Sequence, residues 1–393
     1  MNKYIQDEIR NNLRSIIKGL SKPQYKAISE IVRGLFIAGK PILNALVQDE
    51  NKSTKKQAEK YAKHLGNIKL KTKIDEFALR KGISSIKPTT IIAYDLSDIS
   101  KECAKKMERL SRVFDGSKRK TTTGYTLHGV GINNILVKNE IHDSNRKTLN
   151  QIRSKIVKKI SEKADKQGIW AFDRGNDDKQ FFKELRHKIK VNFIARLKKN
   201  RQVVIKETGE KLKVENIKEG KYEVYLMNKY NTKIDTRAVF TLVISNHLED
   251  KELIRLISSL KISDYSIKQF VTMYLERWGV ENIFKRIKVK FELESIRLLR
   301  YQRFENLVAL VQFAVVLSTI IFNKVQQTTH VLMTGFLMVY KRFIKLKNLT
   351  FNLDSFISFL KSSISPLLRR KYSHPPNQLT LFSNSALEKL GVI

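Results

Sequence analysis

The chain has 393 residues, 41% of them hydrophobic, which allows two or three domains with a substantial core and excludes a disordered protein. Lysine and arginine number 76 against 38 acids, a formal net charge of +38. So much uncompensated charge repels itself in a compact fold and points to a polyanionic partner, and nucleic acid fits better than a membrane surface because the basic residues are spread along the whole chain. The single cysteine, Cys103, excludes an internal disulfide framework and any cysteine-based zinc site.

The N-terminal MNKYIQDEIRNNL is polar and helical in pattern, with no signal-peptide core. Residues 1–85 read as short helices. In SKPQYKAISEIVRGLFIAG, Ser21 caps, Pro23 lies in the first turn and Gly39 stops the helix. In STKKQAEKYAKHLGN, Ser53 or Thr54 opens and Gly66 closes. Such short basic helices suit a helical DNA-binding domain, and equally a bundle with a solvated basic face.

At Lys87-Pro88 the pattern changes, opening a segment over 86–199. TTIIAYDLSD reads as a buried strand ending in Asp95. TTTGYTLHGVGINNILVKNEI reads as two strands joined at Ile132 to Asn134. An amphipathic helix follows in NRKTLNQIRSKIVKKISEKAD, then a strand ending in Asp173 in GIWAFDRGND, a helix in DKQFFKELRH and a strand in VNFIARLK. The order β, ββ, α, β, α, β describes an α/β fold, a mixed sheet flanked by helices. Residues 200–248 read as a β-rich insertion with turns at Thr208-Gly209 and Glu219-Gly220. Helical patterning is expected to return at KELIRLISSL and to run through Lys288, within a segment over 249–325.

The apolar run Leu307 to Phe322 is slightly short for a membrane span and is interrupted by Gln312, Ser318 and Thr319, so a buried core helix is expected. Residues 326–393 form a basic, mostly helical C-terminal region, a candidate for dimerisation, with extended chain at Pro375-Pro376.

The stretch YLERWGVENIFKRIK, Tyr274 to Lys288, carries the chemistry. Read as one helix at about 100° per residue, it places Tyr274, Arg277, Glu281 and Lys288 within an arc of roughly 60°, bordering an apolar arc of Met273, Val280, Ile283, Phe284 and Ile287. On geometry alone this stripe fits a solvated Arg277–Glu281 pair as well as one wall of a cleft. Asp95 and Asp173 at strand ends add two carboxylates whose desolvation asks for a cation. Carboxylate oxygens suit hard divalent ions, and a pair of such ions about 3.5–4 Å apart suits phosphodiester chemistry. There is no G-x-x-x-x-G-K-[ST] loop, so ATP use is not indicated.

Tyr274, Arg277, Glu281 and Lys288 resemble the Y-x2-R-x3-E-x6-K signature of DDE transposases of the IS4 type at every position, and AYDLSD at Asp95 and FDRGNDD at Asp173, with the following Arg174, resemble that family's two acidic strands. The resemblance covers about residues 85–325. It implies an RNase H-like catalytic fold in which Asp95, Asp173 and Glu281 hold two Mg²⁺ (Mn²⁺ able to substitute) and Tyr274, Arg277 and Lys288 grip phosphates at the transposon end. It also implies cut-and-paste transposition through a DNA hairpin, acting on terminal inverted repeats and target DNA, as a homodimer on double-stranded DNA. The expected setting is the cytoplasm, associated with a bacterial nucleoid, and no membrane.

One departure concerns stacking of a flipped base. The only tryptophans, Trp170 and Trp278, lie outside the insertion, leaving Tyr222, Tyr225, Tyr230 or Phe240 as substitutes, each of which also fits a sheet-packing role. Lys118 and Arg119 in the loop SKRK are candidate phosphate contacts. His128 is expected to be structural, and Asp98, Asp177 and Asp178 to be turn and helix-start acids. A DNA-binding protein that no longer cuts, and another RNase H-like metal nuclease without strand transfer, are the alternatives.

Overall fold

The computed structural model of the chain describes residues 2–49, 51–66, 69–116, 118–143, 147–227, 234, 236–246, 253–328, 353–358 and 360. Tyr230 and nearly all of the expected C-terminal region, Pro375-Pro376 included, lie outside them.

The first helices are α1 (Asn2–Ile17), α2 (Lys22–Ala38), α3 (Leu43–Leu46), α4 (Thr54–His64) and α5 (Lys69–Ile83). The Gln24 side chain accepts a hydrogen bond from the Ser21 N–H at 3.0 Å, and Gly39 closes α2 at φ 69°, where a side chain would be strained. Ser53 caps α4 by accepting from the Lys56 N–H, while Leu65 rather than Gly66 ends it. α5 packs against β4 (Ile135–Ile141) and α10 (Tyr301–Thr328), so Phe77 and Ile74 share one core cluster with Val137 and Phe313. A charge network seals that junction. Lys71 bonds Asp75 at 2.6 Å and Glu140 at 3.1 Å, and Lys138 bonds the same two acids, each at 2.6 Å. Charges this far from water persist only when paired.

The remaining strands are β1 (Ile91–Ser100), β2 (Ser111–Asp115), β3 (Lys120–Ile132), β5 (Ile169–Phe172), β6 (Asn192–Arg196), β7 (Gln202–Ile205), β8 (Lys211–Lys213), β9 (Gly220–Leu226), β10 (Val239–Ser245) and β11 (Ile254–Ser258). They form one eleven-stranded sheet in the order β2-β3-β1-β5-β6-β11-β10-β9-β7-β8, with β4 on β3. β1, β5 and β6 run parallel and their other neighbours antiparallel. The other helices are α6 (Leu149–Lys163), α7 (Lys179–Lys183), α8 (Ile267–Leu275) and α9 (Trp278–Lys290). This mixed sheet flanked by helices is consistent with an RNase H-like fold. The β3–β4 hairpin turns through Asn133 and Asn134 at φ 49° and 63°, the left-handed pair that a two-residue hairpin loop requires and asparagine tolerates.

Four expectations need correction. The segment expected to resume helix at KELIRLISSL contains β11, whose five residues are all buried; a strand covered on both faces shows no alternation, and Ile254–Ser258 pairs with β6 and β10. The insertion strands β7–β10 therefore continue the main sheet. β1 does not end at Asp95 but runs on to Ser100, paired with β3. Asp98 consequently lies within a strand, not a turn. The signature stretch is not one helix: the chain tightens at Glu276-Arg277, where the Arg277, Gly279 and Val280 N–H groups donate three residues back, to Tyr274, Glu276 and Arg277 carbonyls.

α10 is long and apolar enough to cross a membrane by composition, yet 94% of its most apolar window is buried inside the protein. Gln312 donates to the Leu136 carbonyl at 3.1 Å, and Ser318 and Thr319 bond back to Ala314 and Val315, so each polar interruption makes a hydrogen bond within the core, although Gln312 Oε1 is left without one.

α9 lies directly on β3. A Cβ on Gly129 would collide with the Phe284 ring, and one on Gly131 would come within 3.2 Å of Ile283 Cδ1 and 3.3 Å of Val280 Cβ. Gly129→Ala should therefore lower the unfolding free energy by about 1–3 kcal/mol, the cost of overpacking. Gly116→Ala, where an added Cβ meets nothing within 4 Å, should change it by less than about 0.5 kcal/mol. Urea denaturation of both variants checks the contrast.

Candidate active site

Asp95 is the first residue of β1 past its last pairing with β5, Tyr94 with Phe172. Asp173 follows directly on the end of β5 and stands at the N-cap of the short 3₁₀ turn Arg174–Asn176. The two aspartates thus mark the carboxyl-end opening between adjacent parallel strands, the usual place for a ligand in such a sheet. Glu281 lies in the first turn of α9, which its glycine floor holds over β3.

Arg277 stands between Asp95 and Glu281. It is only 5% exposed. Its Nη2 donates to Glu281 Oε1 at 2.6 Å, its Nη1 lies 3.8 Å from Asp95 Oδ1, and its guanidinium sits 5.6 Å from the Tyr274 ring centre. Nε and Nη1 have no hydrogen-bond partner. Tyr274 is buried with Ile194, Leu256 and Phe270, and burial pushes its hydroxyl pKa up. Burial, opposed by Arg277 and reinforced by Asp173 and Glu281, pushes the Asp95 pKa from 3.8 up to about 7.

Asp173 is oriented by neighbours that sequence reading missed. Asn176 Nδ2 donates to Asp173 Oδ1, and Asn176 Oδ1 accepts from Arg153 Nη1 at 2.9 Å. Arg153 is buried over the Phe181 ring at 3.6 Å and pairs with Asp178 at 3.3 Å. Gly175 has no side chain to crowd the carboxylate, since a Cβ there would come within 3.1 Å of Asp173 Oδ2. The only sequence trace of this support is the GND that follows Arg174.

The other candidates divide. Arg174 is exposed beside Asp173. Lys288 is held by Asp98 at 3.0 Å and Glu294 at 3.5 Å, which places Asp98 in an ion pair with the signature lysine. Lys118 and Arg119 lie in the turn between β2 and β3; Lys120 beside them is nine residues along β3 from Gly129, roughly 30 Å. They are not brought to the acids. Asp178 caps α7 as expected, accepting from the Gln180 and Phe181 N–H groups, whereas Asp177 is buried against Arg201 at 2.5 Å. His128 is fully buried, shares a 2.6 Å hydrogen bond with the Tyr94 hydroxyl, and is held neutral by burial with its pKa lowered to about 3. Phe240 is core, only 1% exposed, while Tyr222 and Tyr225 are half-buried. Trp278, one turn before Glu281, is 50% exposed.

Three carboxylates are hard oxygen donors of the kind Mg²⁺ takes, and the upward push that Asp173 and Glu281 exert on Asp95 is a charge crowding that a cation relieves. The residues fit such an ion in kind. They are not gathered around a single point: among the described residues no three His, Cys, Asp or Glu side chains stand close enough to share an ion. The guanidinium of Arg277 lies between two of the three.

Residues 87–317 match the family model described as Transposase DDE domain. No curated protein matches the chain.

Because the folded-state pKa of Asp95 lies above its unfolded value, its burial costs nothing below about pH 4 and destabilises progressively as pH rises toward and through about 7. Asp95→Asn should accordingly raise stability at pH 8 by about 1–4 kcal/mol in divalent-free buffer, and by little near pH 4. Thermal melts at the two pH values check it; an equal shift at both would show that Asp95 is not desolvated in the folded protein.

Proposed function

The chain belongs to the transposase DDE-domain family, and from that premise we propose that it is an IS4-type transposase that moves an insertion sequence by cut-and-paste cleavage and strand transfer, through a DNA hairpin. The observation that carries the reading is the placement of Asp95 and Asp173 side by side at the open end of the β1–β5 pair, with one buried guanidinium between Asp95 and Glu281.

In this reading Asp95, Asp173 and Glu281 hold two Mg²⁺, which Mn²⁺ can replace. When bound, the ions supply Lewis-acid activation of the attacking and leaving oxygens of a phosphodiester. Asn176 and Arg153 fix the Asp173 carboxylate before DNA arrives, so less orientation is lost on binding. Arg277 offers its two unbonded N–H donors to a phosphate oxygen near the acids, where a desolvated guanidinium binds strongly. Tyr274 packs beneath it and sets its height. Lys288, positioned by Asp98, and exposed Arg174 hold phosphates on either side. The +38 charge supplies the rest of the affinity for double-stranded DNA, both terminal inverted repeats and target, with the helices of residues 1–85 contributing end preference. A homodimer pairs two ends, residues 326–393 serving dimerisation, in the bacterial cytoplasm on the nucleoid.

Asp95→Asn, Asp173→Asn and Glu281→Gln should each abolish cleavage of an end-bearing duplex while binding survives and remains steeply salt-dependent. Arg277→Ala and Lys288→Ala should keep some initial nicking and lose tenfold or more, by the usual worth of positioning, at hairpin formation and strand transfer. Quantified nicked, hairpin and joined products decide it. Near-normal cleavage by any acid variant removes that residue from the site, and uniform slowing of every step in both basic variants removes their assigned role.

A further inference from the structure

At the far end of β3 from the acids, residues Lys120–Thr123 have β2 as their only strand partner, so Ser111–Asp115 and Lys120–Gly124 form a short two-stranded ribbon closed by a turn. Its two faces differ sharply. Val113 and Asp115 turn inward, each only 4% exposed. Arg112 and Phe114 turn outward, opposite Thr123 and Thr121, and Phe114 is 62% exposed. Lys118, Arg119 and Lys120 crown the tip, all exposed, with Arg119 at φ 50°. Two acids stand at this end: buried Asp115 accepts from the Lys118 N–H at 3.1 Å, and Glu102 bridges the Lys118 and Lys120 side chains at 2.8 Å and 3.0 Å and so sets two of the three crown cations side by side.

An aromatic ring held in water contributes nothing to this ribbon, whose inner face Val113 already fills. Cations all around it argue against a second copy of the same surface, since like charges would face each other. They match a polyanion with apolar surface between its charges, which is duplex DNA: a two-stranded ribbon fits a groove, and an apolar side chain flanked by cations wedges between base steps and kinks the helix. We propose that the β2–β3 ribbon is a second DNA-contact site, in which Phe114 inserts at a base step of double-stranded DNA while Arg112, Lys118, Arg119 and Lys120 hold the flanking phosphates. The proposal rests on the reading of the chain as a DNA-acting enzyme. Phe114 faces Thr121 and Asp95 faces Gly129, so eight residues of β3, roughly 27 Å, separate wedge and acids. A duplex following β3 spans that in about eight base pairs. The ribbon bends DNA at a distance from the reacting bond and does not touch the bond itself.

The test is a 2-aminopurine scan along a duplex carrying the terminal repeat that flanks the gene, bound by the full chain, with Asp173→Asn protein used to hold the DNA uncut. The expected result is a fluorescence rise at one step about eight base pairs from the cleavage position, from unstacking of that base. Phe114→Ala should abolish the rise and weaken duplex binding roughly five- to hundredfold, the range for losing one aromatic–base contact. Phe114→Leu, which keeps an apolar wedge, should restore most of both, and unchanged thermal melts should show that neither variant unfolds the ribbon. The proposal is overturned by a scan that shows no rise, by a rise that persists in Phe114→Ala, or by Phe114→Ala altering only the protein's mass without DNA, which would make the patch a contact between copies. A rise that depends on Phe114, in a wild-type protein that cuts no end, would sink the cleavage reading and leave the ribbon standing.

Discussion

Glu281 comes near Asp95 because α9 can lie on β3 with little side chain between them. Gly129 faces Phe284 and Gly131 faces Val280 and Ile283; a Cβ would collide with the ring at the first and be tight at the second. Gly129 is also the register partner of Asp95, so the residue that lets the helix approach sits beside the residue the helix must approach. The site depends on this contact. An added carbon at Gly129 would lift α9 and carry Glu281 and Arg277 with it.

Two charge clusters in the molecule show how differently buried ions can be arranged. At the α5–β4–α10 junction, Lys71 and Lys138 each bond both Asp75 and Glu140, with Glu305 of α10 half-buried beside them, and the arrangement clamps the N-terminal helices to the sheet. Arg277 faces two acids, Asp95 and Glu281, bonds one of them, and keeps two nitrogens without a hydrogen-bond partner. Asp95 accordingly carries a pKa raised to about 7. In the first arrangement every lysine bonds two acids, and it serves stability. The second crowds carboxylates and leaves donors unbonded, the kind of perturbed setting that functional sites favour.

The sheet joins features that lie far apart in the molecule. β11 bonds β6 on one side and β10 on the other, making the strands after residue 200 an extension of the sheet that carries Asp95. At the opposite end β3 outruns β1 and carries the Phe114 ribbon. The Phe114 ribbon and Asp95 are therefore joined by one continuous strand, β3.

Much of this was legible in the sequence because it is local. Ser21 and Gly39 bound α2, Asn133-Asn134 turns a hairpin, and Asp95 and Asp173 stand where apolar strands meet polar chain. The order of strands and helices fixed the α/β class, and the polar residues of Leu307 to Phe322 marked a core helix. The tertiary structure alone decided the rest. Ile254–Ser258 is covered on both faces, so no periodicity distinguishes it from helix, and only its partners β6 and β10 make it a strand. The single helix drawn from Tyr274 to Lys288 is broken at Arg277, and two members of the expected stripe, Tyr274 and Arg277, are buried. Lys288 pairs with Asp98 across 190 residues, and Arg153 reaches Asp173 through Asn176 from another helix. Composition and spacing record which groups a chain carries. Which of them share a buried volume is set by packing between distant segments, and charge compensation inside that volume has no counterpart in the linear pattern.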